Sequence, residues 1–188
     1  MSGSQTACDE DFGRPNTEDA PNMLDAKLWA NPCPFTFRIN YLALLYNTPL
    51  YGWISDQYGL KRPEYVVLYS LALADGGSAR DVSLTSGFPK NTLSRAIKRL
   101  EKMGLIKLRS KVPGGRRRQA LHLSDAGWAL FNETRPAFEA QEKRMLKALS
   151  QGERQMLFEL MSKVVMDAQE WAGDLPPEAG TNKERVRQ

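Results

Sequence analysis

The stretch "KNTLSRAIKRLEKMGLI", Lys90 to Ile106, decides how this chain of 188 residues is to be read. Leu93, Ala96, Ile97, Leu100 and Met103 recur at steps of three and four, which is one apolar stripe of an α-helix. Lys90, Asn91, Thr92, Ser94, Arg95, Lys98, Arg99 and Lys102 fall off that stripe and face outward on such a helix. Gly104 suits the C′ position, because a residue without Cβ enters the left-handed conformation at no steric cost. Leu105 and Ile106 then open a β-type run. A merely solvated amphipathic helix shows the same pattern, so the neighbouring segments carry the decision.

Upstream, "SARDVSLTS" reads as a short helix with Val82 and Leu84 as its inward residues, and the turn "GFP", Gly87 to Pro89, leads into Lys90. Two helices joined by a three-residue turn containing Gly are a helix-turn-helix. Downstream, β-type runs at 106–110 and 120–123 flank "KVPGGRRRQ". Its Pro and two Gly make a hairpin, with Arg116, Arg117 and Arg118 at or just after the tip. A helix-turn-helix followed at once by a basic hairpin is a winged helix.

The outer segments are helical. "FTFRINYLALLYNTPLYGWISDQYG" predicts a long helix from near Phe35 to Tyr58, and Pro49 inside it predicts a kink or break near Asn47–Thr48. Pro63 fits the first turn of a helix through Tyr65, Val66, Leu68, Tyr69 and Leu71, closed by Asp75-Gly76-Gly77. Ser124 is an N-cap for a helix from Asp125 toward Leu149, with Pro136 a position for a kink. "SQGE", Ser150 to Glu153, is a capping box for a last helix reaching Trp171. The fold expected is mainly α, a winged helix-turn-helix with a two-stranded wing and long N- and C-terminal dimerisation helices. The divisions are a disordered tail at 1–22, an N-terminal helical region at 23–62, the winged helix at 63–123, C-terminal helices at 124–173 and a second disordered tail at 174–188.

Charge points the same way. From Arg80 to Arg118 twelve Lys and Arg face only Asp81 and Glu101, a balance of +10 that leaves −6 for the rest of a chain whose net charge is +4. A basic working face on an acidic body is the electrostatic footprint of nucleic-acid binding. The major groove admits one α-helix, entered by its N-terminal residues in helix-turn-helix proteins. Arg95 can grip guanine through two donors, Asn91 can pair with adenine, and Thr92 and Ser94 can bond bases or phosphates. Lys90 stands at the same N-terminal end, Lys98, Arg99 and Lys102 farther along are placed for phosphates, and Arg116, Arg117 and Arg118 suit the minor groove. The competing binding mode is a sequence-neutral architectural one, with a steep salt slope and little preference among sequences.

Other classes find little material. No nucleophile elbow, phosphate loop, dinucleotide fingerprint or metal-ligand cluster appears, so no enzyme, metal or cofactor is expected. His122 is the only histidine, and its place in the second wing strand reads as a strand-surface residue. No run of eighteen apolar residues predicts a membrane span. The acidic, polar start "MSGSQTACDEDFGRPNTEDAPN" is unlike a signal peptide, which places the chain in the cytoplasm, on the nucleoid if it binds DNA.

The order of "GFPKNTLSRAIKRLEKMGLI", a basic wing and "LHLSDAGWAL" resembles the MarR family of bacterial transcription regulators. Ser94-Arg95, Arg99-Leu100-Glu101, Gly104-Leu105-Ile106 and Leu123-Ser124-Asp125-Ala126-Gly127 carry the likeness, and Leu149-Ser150-Gln151-Gly152-Glu153 matches the start of the family's last helix. The resemblance covers about Phe35 to Trp171. It implies a homodimer on a pseudo-palindromic operator, acting as a repressor and released by a small aromatic acid bound between the dimerisation and DNA-binding parts. The family's wing usually carries Asp-x-Arg; here Gly115 stands at the aspartate and Arg117 at the arginine. The residues agree on the dimer, since helices with Leu42, Leu45, Tyr46 and Trp53, or with Leu157, Leu160, Val164 and Trp171, need a partner surface.

For the effector, the first long helix holds Tyr41, Tyr46, Tyr51, Trp53 and Tyr58 with Arg38 nearby, an aromatic-lined cleft with one cation that suits an aromatic carboxylate, and Arg38, Tyr41, Tyr46 and Trp53 are its leading candidates; packing in the dimer or core is the alternative use of the same aromatics. A second kind of sensing is thiol-based, through Cys33 in "NPCPF", near where peroxide-sensing relatives of the resembled family place a cysteine. Against it, Phe37 stands where those relatives have a tyrosine, and nothing basic adjoins Cys33 to lower the thiol pKa.

Overall fold

A computed structural model describes residues 22–110 and 119–173. The predicted tails, apart from Asn22, and the hairpin tip with Gly115, Arg116, Arg117 and Arg118 lie outside the described residues. The chain divides into two compact units, one through Gly127 and one from Trp128.

The first unit runs α1 (Met23–Trp29), α2 (Pro34–Tyr58), α3 (Arg62–Leu73), α4 (Ala79–Ser86), α5 (Lys90–Lys102), β1 (Ile106–Ser110), β2 (Gln119–Leu123) and the first turn of α6 (Asp125–Met145). The fold class is as expected: helices with a two-stranded antiparallel wing. Three details differ. The helix α1 was not expected; Asn22 caps it by accepting from the Leu24 amide at 3.1 Å. The helix α2 continues through Pro49, so the lost donor leaves it unbroken. Leu84 is 73 % exposed while Val82 is buried, because residues two positions apart on an α-helix differ by about 200° and cannot share a face.

The core of this unit forms where α3 packs on α5. Tyr65, Val67, Leu68 and Leu71 of α3 and Leu93, Ala96, Ile97 and Leu100 of α5 are buried, with Leu50 and Ile54 from α2 and Val82 from α4. Met103, the last residue of the expected stripe, is exposed, since it already caps the helix. Gly104 follows at φ +72°, as its C′ place requires.

The strands pair with Ile106 opposite Leu123 and Lys107 opposite His122. The other edge of β2 is held too: the Gly76 amide donates to the Leu121 carbonyl and the Leu121 amide to the Gly77 carbonyl, both at 3.0 Å. Ser124 then closes the wing onto α6. Its amide donates to the Leu105 carbonyl at 3.0 Å, its hydroxyl donates to the Gly104 carbonyl at 2.6 Å, and that hydroxyl accepts from the Gly127 amide at 3.0 Å. A Cβ on Gly127 would stand 2.1 Å from the Leu105 carbonyl oxygen, so this approach admits glycine alone.

The second unit holds the rest of α6, α7 (Gln151–Met166) and α8 (Ala168–Trp171). The expected single last helix is interrupted at Asp167, which caps α7. Ser150 and Glu153 form the predicted capping box, with the Ser150 amide donating to the Glu153 carboxylate at 2.7 Å. The Ser150 hydroxyl first, and then its amide, hold the Glu153 carboxyl below its ordinary range. No residue of α7 is buried, although Met156, Leu157, Phe158, Leu160, Val164 and Val165 lie along it.

Candidate nucleic-acid interface

The buried stripe of α5 decides which way its other residues point. With Leu93, Ala96, Ile97 and Leu100 in the core, Lys90, Asn91, Ser94, Arg95, Lys98 and Lys102 stand exposed, and Thr92 is half-buried. Among the described residues none of Lys90, Arg95, Lys98 or Lys102 is held in an ion pair. Their donors are open to an anionic partner.

Arg99, expected among the phosphate-facing cations, is engaged elsewhere. Its guanidinium donates to Glu64 Oε1 at 3.3 Å and to the Gly59 carbonyl at 2.9 Å. Glu64 is buried, and its other oxygen accepts from the Lys61 amide at 2.7 Å, closing the first turn of α3. Arg99 thereby ties α5 to the end of α2 and the start of α3. The sequence carried no sign of this, because the partners lie 35 and 40 positions away.

The turn that enters α5 is pinned from α4. The Ser83 hydroxyl donates to the Phe88 carbonyl at 2.9 Å, and the Phe88 amide donates to the Ser86 hydroxyl at 3.4 Å. Pro89 caps α5, and its carbonyl accepts the first helical bond from the Leu93 amide at 3.1 Å. On the wing side, Lys107 and Arg109 are exposed on β1. His122 is a strand-surface residue as expected, but not an idle one: its Nδ1 lies 2.8 Å from the Asp75 carboxylate on the α3–α4 turn. An ionised carboxylate only accepts, so Nδ1 donates. That bond, foremost, keeps the Asp75 carboxyl below its ordinary value.

A cleft of about 480 Å³ opens between α2 and the start of α3, lined by Asn40, Leu44, Asn47, Thr48 and Tyr51 of α2 and by Arg62. The Arg62 guanidinium lies 5.1 Å over the Tyr51 ring and 5.8 Å over the Phe88 ring. Burial, offset in part by the Arg62 charge, pushes the Tyr51 phenol above its ordinary value, so it remains an O–H donor near neutral pH. A second cleft of about 480 Å³ lies between α1 and α2 and is lined by Leu24, Lys27, Phe37 and Tyr41, among others.

The four residues nominated for an effector are not gathered in either cleft. Tyr41 lines the second, stacked on Phe37 at 5.5 Å. Arg38 bonds the Pro34 carbonyl at 3.0 Å and sits 5.1 Å over Trp29. Trp53 meets Tyr58 edge to face at 5.6 Å, and Tyr46 is half-buried. Arg38 to Trp53 spans about 22 Å of helix, more than a small acid can bridge. Tyr51, one of the aromatics of the first long helix, does line the first cleft. Leu44, Asn47, Thr48 and Tyr51 stand 4, 7, 8 and 11 residues after Asn40 on one helical face, a mostly polar stripe that aromatic content does not reveal.

Cys33 is exposed at the head of α2. Among the described residues no group of His, Cys, Asp and Glu could hold a metal, and no helix is long and apolar enough to cross a membrane.

Residues 58–118 match a sequence model of the MarR family. The chain also superposes on solved structures of that family. A MarR family regulator from Silicibacter pomeroyi aligns with a TM-score of 0.67 at 23 % identity, covering 82 % of this chain and 99 % of that one. A MarR family regulator from Listeria monocytogenes, solved with a 26mer DNA, aligns at 0.66 and 20 % identity over 72 % of this chain and 89 % of its own. A Mycobacterium tuberculosis MarR family protein, solved with salicylic acid, aligns at 0.58 and 19 % identity over 72 % and 98 %. No curated protein sequence matches. The fold is that of the MarR winged-helix structures.

Proposed function

We propose that this chain, carrying the MarR winged-helix fold and a segment matching that family, is a sequence-specific DNA-binding transcriptional regulator. It acts as a homodimer on a pseudo-palindromic operator in the cytoplasm, represses there, and leaves DNA when a small aromatic acid binds. The observation that carries this reading is α5: a core-locked helix whose Lys90, Asn91, Ser94, Arg95, Lys98 and Lys102 are all exposed, with Arg116, Arg117 and Arg118 in the sequence between β1 and β2. The groove-facing end of such a helix reads bases, while cations farther along meet phosphates.

The dimer is supported by uncovered apolar faces on α2, with Leu42 and Leu45 exposed, and on α7. A helix with this many apolar residues and none buried needs a partner surface, and two-fold symmetry suits palindromic DNA. Release by an aromatic acid is supported by the α2–α3 cleft, which offers an apolar wall, hydroxyl and amide groups and a guanidinium, and by the salicylic acid bound in the Mycobacterium tuberculosis structure of the same fold.

The test is titration of the purified protein against its own upstream region and a scrambled duplex at fixed salt, repeated with a panel of aromatic acids. Strong preference for the native region, lost with one acid, is the expected result. Equal affinity for both duplexes would reduce the protein to a sequence-neutral DNA binder.

A further inference from the structure

Arg62 belongs at once to the cleft and to the entrance of α5. It lines the cleft as the first residue of α3, and its guanidinium also stands 5.8 Å over the ring of Phe88, the middle residue of the turn before α5. Among the described residues no carboxylate is ion-paired with Arg62. It is held instead by the ring faces of Tyr51 and Phe88 and by a hydrogen bond to the Tyr51 side chain. A cation over a half-buried ring is held less firmly than one paired with a carboxylate, which takes a guanidinium through two charge-assisted hydrogen bonds.

We propose that Arg62 relays occupancy of the cleft to the DNA-facing helix: a carboxylate in the cleft draws the guanidinium off Phe88, and the turn that seats α5 loses its brace. The inference rests on the ligand-responsive reading above and supplies its route. Phe88 is well placed for the part. Its backbone is pinned to Ser83 and Ser86, and the next residue, Pro89, caps α5. A displaced ring therefore loads the residues that orient Lys90, Asn91 and Arg95. The ligand is a small planar monocarboxylate, its ring against Leu44 and its carboxylate toward Arg62 and the Tyr51 hydroxyl. Such coupling is reciprocal: what frees Arg62 from Phe88 must also favour the ligand.

The experiment uses full-length protein with salicylate as the probe. Calorimetry gives salicylate affinity, and fluorescence anisotropy gives affinity for the upstream duplex with and without saturating salicylate. Wild type is expected to bind salicylate and to lose about tenfold in DNA affinity when saturated. Phe88→Leu without ligand should bind DNA about as weakly as saturated wild type. Salicylate should then change it by less than about twofold, while binding the variant several-fold more tightly than wild type. Phe88→Tyr, which keeps a ring, should retain the wild-type response. Arg62→Gln should lose salicylate binding and the DNA response together. A variant damaged only in packing would lose both affinities instead of gaining one.

A Phe88→Leu protein that responds to salicylate as wild type does would overturn the relay while leaving the ligand-released regulator intact. Arg62→Gln with undiminished salicylate affinity would overturn the cleft assignment. Wild type that binds its duplex specifically but takes up no salicylate would overturn both relay and cleft, and one without duplex preference would remove the regulatory reading beneath them.

Discussion

Arg99 on α5 and Glu64 on α3 lie 3.3 Å apart, and the pair is the only charged contact from α5 to the core among the described residues. Glu64 is 7 % exposed in its side chain and Arg99 44 %. The carboxylate is thus nearly out of water and depends on Arg99 and the Lys61 amide for its hydrogen bonds. The same guanidinium donates to the Gly59 carbonyl, so one side chain adds a polar tie from α5 to the α2–α3 junction beside the apolar packing.

Arg99→Ala should destabilise the protein by about 1–2 kcal/mol, below the cost of a fully buried pair because the arginine is half in water. Lys98→Ala, one position away and exposed, should change stability by less than about 0.5 kcal/mol. Urea midpoints of the two variants decide the matter. Equal stability with reduced DNA affinity would return Arg99 to the phosphate-facing set.

Gly127→Ala should cost about 3 kcal/mol or more, because its Cβ meets a backbone carbonyl that cannot swing aside. Gly152→Ala is the internal contrast. Nothing lies within 4 Å of that Cβ, so the change in α7 should be neutral or stabilising by up to about 1 kcal/mol. Thermal unfolding of both variants reads the difference.

Arg95→Ala should weaken binding to the preferred duplex by about 1–3 kcal/mol and relax base preference. Lys102→Ala, at the far end of α5, should weaken all sequences about equally and lower the salt slope by about one. Anisotropy titrations over a salt series on specific and scrambled duplexes separate the two. A uniform loss from both variants would mean that α5 does not divide base reading from phosphate contact.

The Asp75–His122 bond carries a pH signature. The Asp75 carboxyl is depressed in the folded state, so its contribution is present above the ordinary carboxylate value of about 4 and is lost as pH falls through the lower folded value. Asp75 is half exposed, which limits the pair to less than about 1 kcal/mol. His122→Ala should therefore be less stable than wild type at pH 6, and the gap in urea midpoint should shrink by pH 3. A gap unchanged between those values would show that the pair does not act through Asp75.

Much of the molecule was legible because it is written in local chemistry. The α5 stripe, Gly104, the Ser124 cap and the Ser150–Glu153 capping box are each decided within a few residues, where period and cap geometry leave few choices. The ends of helices were read less well. Met103 keeps the period of its stripe yet sits at the cap, where the helix has no core beneath it, and Leu84, two residues from Val82, falls on the opposite face. The break at Asp167 and the short α1 fall in segments with weak stripes.

The site divides along the same line. The sequence by itself determined that a basic helix follows a Gly-Phe-Pro turn, which residues leave its buried stripe, and that a wing comes next. Helical periodicity and turn chemistry are local and strong enough for that. Only the tertiary structure decided that Arg99 turns inward to Glu64, that Asn40, Asn47, Thr48 and Tyr51 share a cleft with Arg62, and that Arg62 reaches Phe88. Arg99 is periodic with the exposed cations, and its partners lie at 59 and 64. Whether a long side chain stays in water or folds back is set by what the packed core brings within its reach, and no local pattern along the chain encodes that distance.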